Sequence, residues 1–511
     1  MKKLILSLFL FAIMAICNGN ITQAEIYKVA GKEVHILGQI SQTVNYGFKN
    51  TYDYEEGINT VLTDALFDGG IILNDELHVN TIVGLSADWI YDFKHGDDSW
   101  ERKGFNLSRD RMYFDDESWQ VLKELHATWT PGDCLFRVGK QAVTWGLIDG
   151  PNILNQINPE DGRRGETEIE FETSVIPIWM MRAEYNPPVY NTFLNDLNIQ
   201  FLFNPNADFI PTQQLEPGPD TNGIFAPAVG EGFGSFDKTE IKPDEWDAEN
   251  FEYGVQLQAF IEGSIINLNY FNGTANEYVS EIDMAAAGAN IGNNLTAGRG
   301  PDPFRYDSLG LGHLPITVHW PDQEFFGGYI SRDMQSWTFM PGKRTPILKF
   351  ECAYELNKVF EVNSDYVMGE GAPPFIEKDV FTWGAGIEWN IDIPYITSQG
   401  NGMTFNSSYV TSSIQDYDHR LDSIEDDTFL VFIVNTLYLS GRLKPSFTLI
   451  RDMEAHEELY SLSTEYLYSD SINISGGVKI YDGPSTVEDS SSLGFFQNKN
   501  HVFFKITYQW G

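Results

Sequence analysis

Phe136–Gly150 reads FRVGKQAVTWGLIDG, and the side to which its charged residues point decides the fold. As an extended segment it sets Phe136, Val138 and Ala142 on one face and Arg137 and Gln141 on the other. A soluble sheet would bury the apolar face in a core. A membrane barrel turns it to lipid and lines a wet lumen with the polar face. Lys140 breaks the alternation, so it must either snorkel to an interface or sit at a bulge that Gly139 permits.

The rest of the chain favours the second arrangement. Met1–Ala24 carries two lysines, an apolar run and a small-residue end, the pattern of a secretory signal peptide cleaved after Ala24. The apolar run Leu4–Ile16 is short for a spanning anchor, and bulky Ile16 before Cys17 argues against a lipidated cysteine. Residues 25–511 then form one domain. They contain nothing near the ~20 unbroken apolar residues of a membrane helix. If they span a membrane they must close into a barrel, the only other way to satisfy backbone polar groups in lipid.

The composition agrees, with 42% hydrophobic and 14% aromatic residues and a net charge of −40. A polar lumen lowers the first figure and aromatic girdles raise the second. The negative charge excludes nucleic acid as a partner. Once Cys17 leaves with the signal, Cys134 and Cys352 remain, without haem or zinc spacing, and no cofactor is expected.

Period-two segments recur between Asn/Asp/Gly/Pro/Ser-rich turns. Phe251, Tyr253, Val255, Leu257, Ala259 and Ile261 oppose Glu252, Gln256, Gln258 and Glu262. Leu348, Phe350, Cys352, Tyr354 and Leu356 oppose Lys349, Glu351 and Glu355; Trp383, Ile387 and Trp389 oppose Gly384, Gly386 and Glu388; Tyr460, Leu462 and Tyr466 oppose Ser461, Ser463 and Glu465. Phe429–Leu439 is apolar on both faces, which leaves its orientation open. The chain ends HVFFKITYQWG, an amphipathic strand with Trp510 one residue from the end, like the assembly signal that barrel assembly machinery reads in bacterial outer membranes. Three stretches, 152–175, 204–250 and 272–320, lack alternation and read as long loops. The expectation is an all-β, transmembrane antiparallel β-barrel of roughly 14 to 18 strands, with long extracellular loops and one infolded loop.

The candidate site follows from that frame. Glu252, Glu262, Lys349, Glu351, Glu355, Glu388 and Glu465 fall on lumen faces, and their acidic excess predicts cation preference. Asn152, Asn155, Asn158 and Asp161 are turn formers in the loop that follows the opening strand. Folded inward, that loop would set Asn158, Asp161, Arg163 and Arg164 beside Arg137 and Gln141 as a pore constriction, with Asp161 the expected partner of Arg137 and Trp145 anchoring the loop base. The acidic runs Asp115–Glu117 and Glu425–Asp427 read as solvated loop charge, and no metal site is expected.

Leu122–Gly165 also resembles the signature region of the porin-like outer-membrane family classed as domain of unknown function 1302. The features shared are the Arg137–Gln141 strand, Trp145-Gly146, Asp149-Gly150, Asn158-Pro159, Asp161 and Arg163-Arg164; Leu147 departs from the polar or acidic residue usual after Trp-Gly. The resemblance implies a Gram-negative outer-membrane barrel among lipid and lipopolysaccharide, serving passage of apolar compounds with an inner-membrane pump or periplasmic carrier. It supplies no catalytic residue.

Three functions remain: a porin-like channel for small or apolar solutes, a structural sheath housing a partner or electron carrier, and an outer-membrane enzyme. The nine histidines are scattered and no G-x-S-x-G occurs, so no catalytic residues are assigned and the enzyme ranks last.

Overall fold

A computed structural model describes residues 26–29, 31–48, 56–94, 121–162, 175–189, 193–213, 233–306, 310, 312–335, 337, 344–398, 402–484, 493–497 and 499–510. The signal-like segment 1–24, Arg163, Arg164 and Asp115–Glu117 lie outside them. The first strands are β1 (Ile26–Val29), β2 (Lys32–Gly47), β3 (Gly57–Asn74), β4 (Leu77–Asp88), β5 (Leu122–Trp129), β6 (Cys134–Gln141), β7 (Ile178–Tyr185) and β8 (Leu194–Asn204). Next come β9 (Phe233–Ile241), β10 (Glu252–Ile261), β11 (Ser264–Thr274), β12 (Val279–Ile282), β13 (Arg305–Tyr306), β14 (Gly312–His319), β15 (Asp322–Asp333) and β16 (Ile347–Glu361). The last are β17 (Phe375–Ile391), β18 (Met403–Ile414), β19 (Asp426–Thr436), β20 (Leu443–Asp452), β21 (Glu457–Ser469), β22 (Ile472–Asp482) and β23 (His501–Trp510).

Neighbouring strands pair antiparallel around one sheet, and β23 returns to β2 over Gly38↔Trp510 to Gly47↔His501. The result is a closed barrel of 18 strands, with β1 folded back on the start of β2 as an extra short hairpin. Closure leaves no sheet edge, as lipid requires. Trp510 lies flat on Gly38, where a Cβ would come within 2.2 Å of the indole, and meets Phe67 edge-on at 5.7 Å. The terminal aromatic therefore seals the seam.

Two adjacent belts show why the sequence folds with its apolar side outward. Phe201, Val255, Tyr270, Phe326, Tyr354 and Phe381 are successive cross-strand partners from β8 to β17. Of these, Phe201, Val255, Phe326 and Tyr354 are exposed, as suits side chains that face lipid. One residue along, Gln200, Gln256, Asn269, Gly327, Ala353 and Thr382 form the matching inner belt, small or amide throughout. Because side chains alternate with period two, a one-residue slip would exchange the belts and put amides in lipid. The connections also alternate in length. Turns such as Glu262-Gly263 and Asp470-Ser471 lie at one end, and 142–177, 205–251 and 275–321 at the other.

Two of the long connections hold more structure than the sequence patterns suggest. β12, β13, β14 and β9 make a second, four-stranded sheet, with β9 running parallel to β14. A helix, Met284–Thr296, begins where the Asp283 carboxylate accepts from the amides of Ala285 and Ala286. An alanine run behind a good N-cap favours a helix, and period-two counting does not register it. Phe209, Phe236, Tyr278, Leu314 and Trp320 pack with Ile316 and Val318 on this sheet. Burial raises the Tyr278 phenol to about 12. Asp237 is held below its ordinary range by the Arg305 guanidinium, which bonds it through two nitrogens.

Candidate pore-narrowing segment

At Gly139 the backbone takes a φ of +136°, and a Cβ there would come within 2.1 Å of the Leu125 carbonyl. Only glycine fits. This kink lets Lys140, 2% exposed, escape the lipid position that strict alternation would give it. Gln141 then ends the strand fully buried, donating to the Met180 carbonyl at 3.1 Å.

Beyond Gln141 the chain turns into the barrel. Val143, Trp145, Ile153, Leu154 and Ile157 pack in one cluster with the inner-wall residues Ile178, Met180, Leu202, Phe271, Phe325, Tyr329, Ala353 and Val410. The Trp145 indole donates to Gln200 Oε1 at 2.8 Å. Inner-wall glycines make room for the segment. A Cβ on Gly254 would sit 2.7 Å from Trp145, one on Gly327 2.4 Å from Leu154, and one on Gly384 2.9 Å from Ile153. Farther round, Gly150 approaches Val431 on the inner face of β19. The segment thus lies along the wall from β6 to β19. Among the described residues, its hydrogen bonds reach β15, β16 and β18 and none reaches β20–β23 or β2–β5.

Asparagines shape its two ends. Asn155 Oδ1 accepts from the amides of Trp145 and Gly146, each at 2.7 Å. Asn158 Oδ1 accepts from Val143 N at 2.7 Å, while its amide donates to the carbonyls of Gln141 and Ile176. Gln156 bonds Asn276 and Gln323, fastening the segment to the β11 and β15 ends. In the middle one carboxylate takes three backbone donors: Glu351 Oε2 accepts from Leu147 N at 2.7 Å and Ile148 N at 3.2 Å, and Oε1 from Leu154 N at 3.2 Å. Glu351 is 2% exposed. Leaving a buried amide without an acceptor costs about 1–3 kcal/mol, so losing this side chain would leave three amides of the segment to be satisfied in another way.

The anticipated constriction residues are only partly together. Gln141 and Asn158 meet, and both are buried in the base of the segment. Asp161 forms a backbone bridge to Gln213 rather than the expected pair with Arg137. Arg137 lies midway along β6, where its Nε donates to Thr128 Oγ1 at 3.0 Å, opposite Arg182.

The wall charges are similarly engaged. Lys349 pairs with Glu388 at 3.1 Å; Glu355 meets Lys358 at 3.4 Å and accepts from Gln323 at 3.1 Å; Glu252 accepts from Asn204 and from Thr274 N. Glu465 is exposed and accepts from Asn473. Glu262 is not on the wall. It is exposed in the tight turn after β10 with a φ of +46°, because the strand ends one residue earlier than the alternation suggests. Asp427 gathers with Asp452 and Glu454, their oxygens within 4.8 Å, instead of standing in a solvated loop.

Glu351 as an amide acceptor and the three wall glycines were not legible as a site in the sequence. The available signal was glycine at inward positions of strands, where a side chain is missing from the wall.

The family model described as a protein of unknown function (DUF1302) matches residues 75–418, more than half the chain, and the protein belongs to that family. Among solved structures it is similar to OmpF of Salmonella typhi, crystallised as a complex with daunomycin, at 11% identity and a TM-score of 0.37, covering 94% of this chain and 98% of that one. It is also similar to OccAB1 of Acinetobacter baumannii (9%, TM-score 0.43, 96% and 99% covered) and OccAB3 (7%, 0.44, 94% and 100%). No curated protein matches the sequence.

Proposed function

We propose that the protein is an outer-membrane channel for passive movement of small polar solutes, narrowed by residues 142–162 inside the barrel. The observation that carries this reading is the packing of Trp145, Ile153 and Leu154 into the inner wall, which fills part of the lumen beside β10 to β18. The apolar side chains of the segment are spent on the wall. What faces the remaining passage along β21 is Ser461, Ser463 and Glu465, a surface suited to hydrated solutes rather than apolar ones. A sheath around a protein partner would need an open lumen, and the infolded segment speaks against it.

Liposomes carrying the purified protein should swell in small sugars and amino acids and slow sharply as solute size rises. Equal permeability to large and small sugars, or none to either, would overturn the reading.

A further inference from the structure

Counted from the sequence, Glu351 is one more lumen charge. Its surroundings assign it another task. Both of its oxygens are occupied by amides of the infolded segment, one on each side of the Leu147–Leu154 turn. Gly146 lies so close that a Cβ there would stand 2.8 Å from Oε1. Around this point the segment seats Trp145 over Gly254 and Ile153 over Gly384, where a wall side chain would meet the seated ring or side-chain tip unless that tip were shortened. Hydrophobic packing holds the segment near the wall without fixing its register, whereas three amides converging on one carboxylate do fix it.

We infer that Glu351 is a positioning residue for the passage, a latch that holds the infolded segment in its narrowing pose, and not a charge that selects ions. The inference rests on the channel reading above. Glu351 faces the segment, and across the strands its cross-strand partners Tyr329 and Gly384 bring no opposite charge that would compete for it. The latch is made from the segment's own backbone, so the sequence of the turn is free to vary while the geometry is kept.

The test uses the full-length protein with Cys134→Ser and Cys352→Ser. Glu351→Ala should raise single-channel conductance several-fold or produce frequent excursions to a larger open level. Glu351→Gln, which keeps one acceptor oxygen, should fall between it and the parent. Adding Ile153→Cys with Gly384→Cys supplies a tether. Oxidised, it should return the Glu351→Ala channel to the parental level, and a reductant should release it.

The tether also reads the latch without current. Cross-linking of the pair should be several-fold slower with Glu351→Ala than with Glu351 intact. Equal cross-linking rates, or an equal shift of reversal potential in both Glu351 variants at unchanged conductance, would overturn the latch. Slowed cross-linking in barrels that never conduct would sustain the latch and overturn the channel reading instead.

Discussion

A protein lacking Pro151–Gly165 should fold into the same barrel and pass several-fold more current per channel than the intact chain. The excised stretch includes Ile153, Leu154 and Ile157, which fill the space between wall strands β10 and β18. It also includes Asn155 and Asn158, which set the path of the segment from Val143 to Gly146. The barrel itself is fixed by antiparallel pairing from β2 to β23 and needs none of these residues for closure. Heat-modifiable migration and circular dichroism should therefore match the parent while planar-bilayer conductance rises. A correctly folded deletion with parental conductance would mean that the narrowest point lies elsewhere.

An arginine scan along β10 should show the second large effect. Val255 and Leu257 are about 40% exposed and face lipid, whereas Gln256 between them is 7% exposed and turned inward. An arginine on the lipid face of a barrel costs about 2–4 kcal/mol near the midplane and less near the interfaces. Val255→Arg and Leu257→Arg should thus lower unfolding stability in lipid vesicles by up to that amount. Gln256→Arg also loses packing, yet its charge faces the lumen, so it should cost less and change conductance instead. The same loss at all three positions would contradict the assignment of faces.

How far the sequence carried the argument depended on the range of the interaction. Faces were legible because alternation is local: Tyr253, Val255 and Leu257 declare lipid within one strand. Segment length and turn spacing gave only a range of roughly 14 to 18 strands, at whose upper end the 18 strands of the barrel fall. The infolding of the stretch after Gln141 was suggested by its asparagines, and two of them, Asn155 and Asn158, do shape it. What the sequence hid depends on contacts between distant residues. Glu351 meets Leu147 across 204 positions, and no local pattern marks a carboxylate that will bind backbone amides.

The same limit defeated the charge count. Glu252, Glu355 and Glu388 look like free pore charges until their partners Asn204, Gln323, Lys358 and Lys349 are seen beside them. Lys349 and Lys358 offset the charges of Glu388 and Glu355, whereas Asn204 leaves the charge of Glu252 in place, so the expected cation preference loses only part of its basis. The expected pairing of Arg137 with Asp161 is not seen: Arg137 bonds Thr128 midway along β6 and Asp161 bridges to Gln213, partners that closeness in sequence does not reveal.

Single-cysteine modification along β21, on the part of the wall that the hydrogen bonds of the segment do not reach among the described residues, is the most direct test of a water-filled passage. In a background of Cys134→Ser and Cys352→Ser, cysteines are placed one at a time at Ser461, Leu462, Ser463, Thr464, Glu465 and Tyr466, and a charged, membrane-impermeant thiol reagent is added during single-channel recording. Current should drop stepwise for Ser461→Cys, Ser463→Cys and Glu465→Cys and stay unchanged for the three between them. Block at the alternate set, or at none of the six in a conducting barrel, would contradict a water-filled passage along this wall.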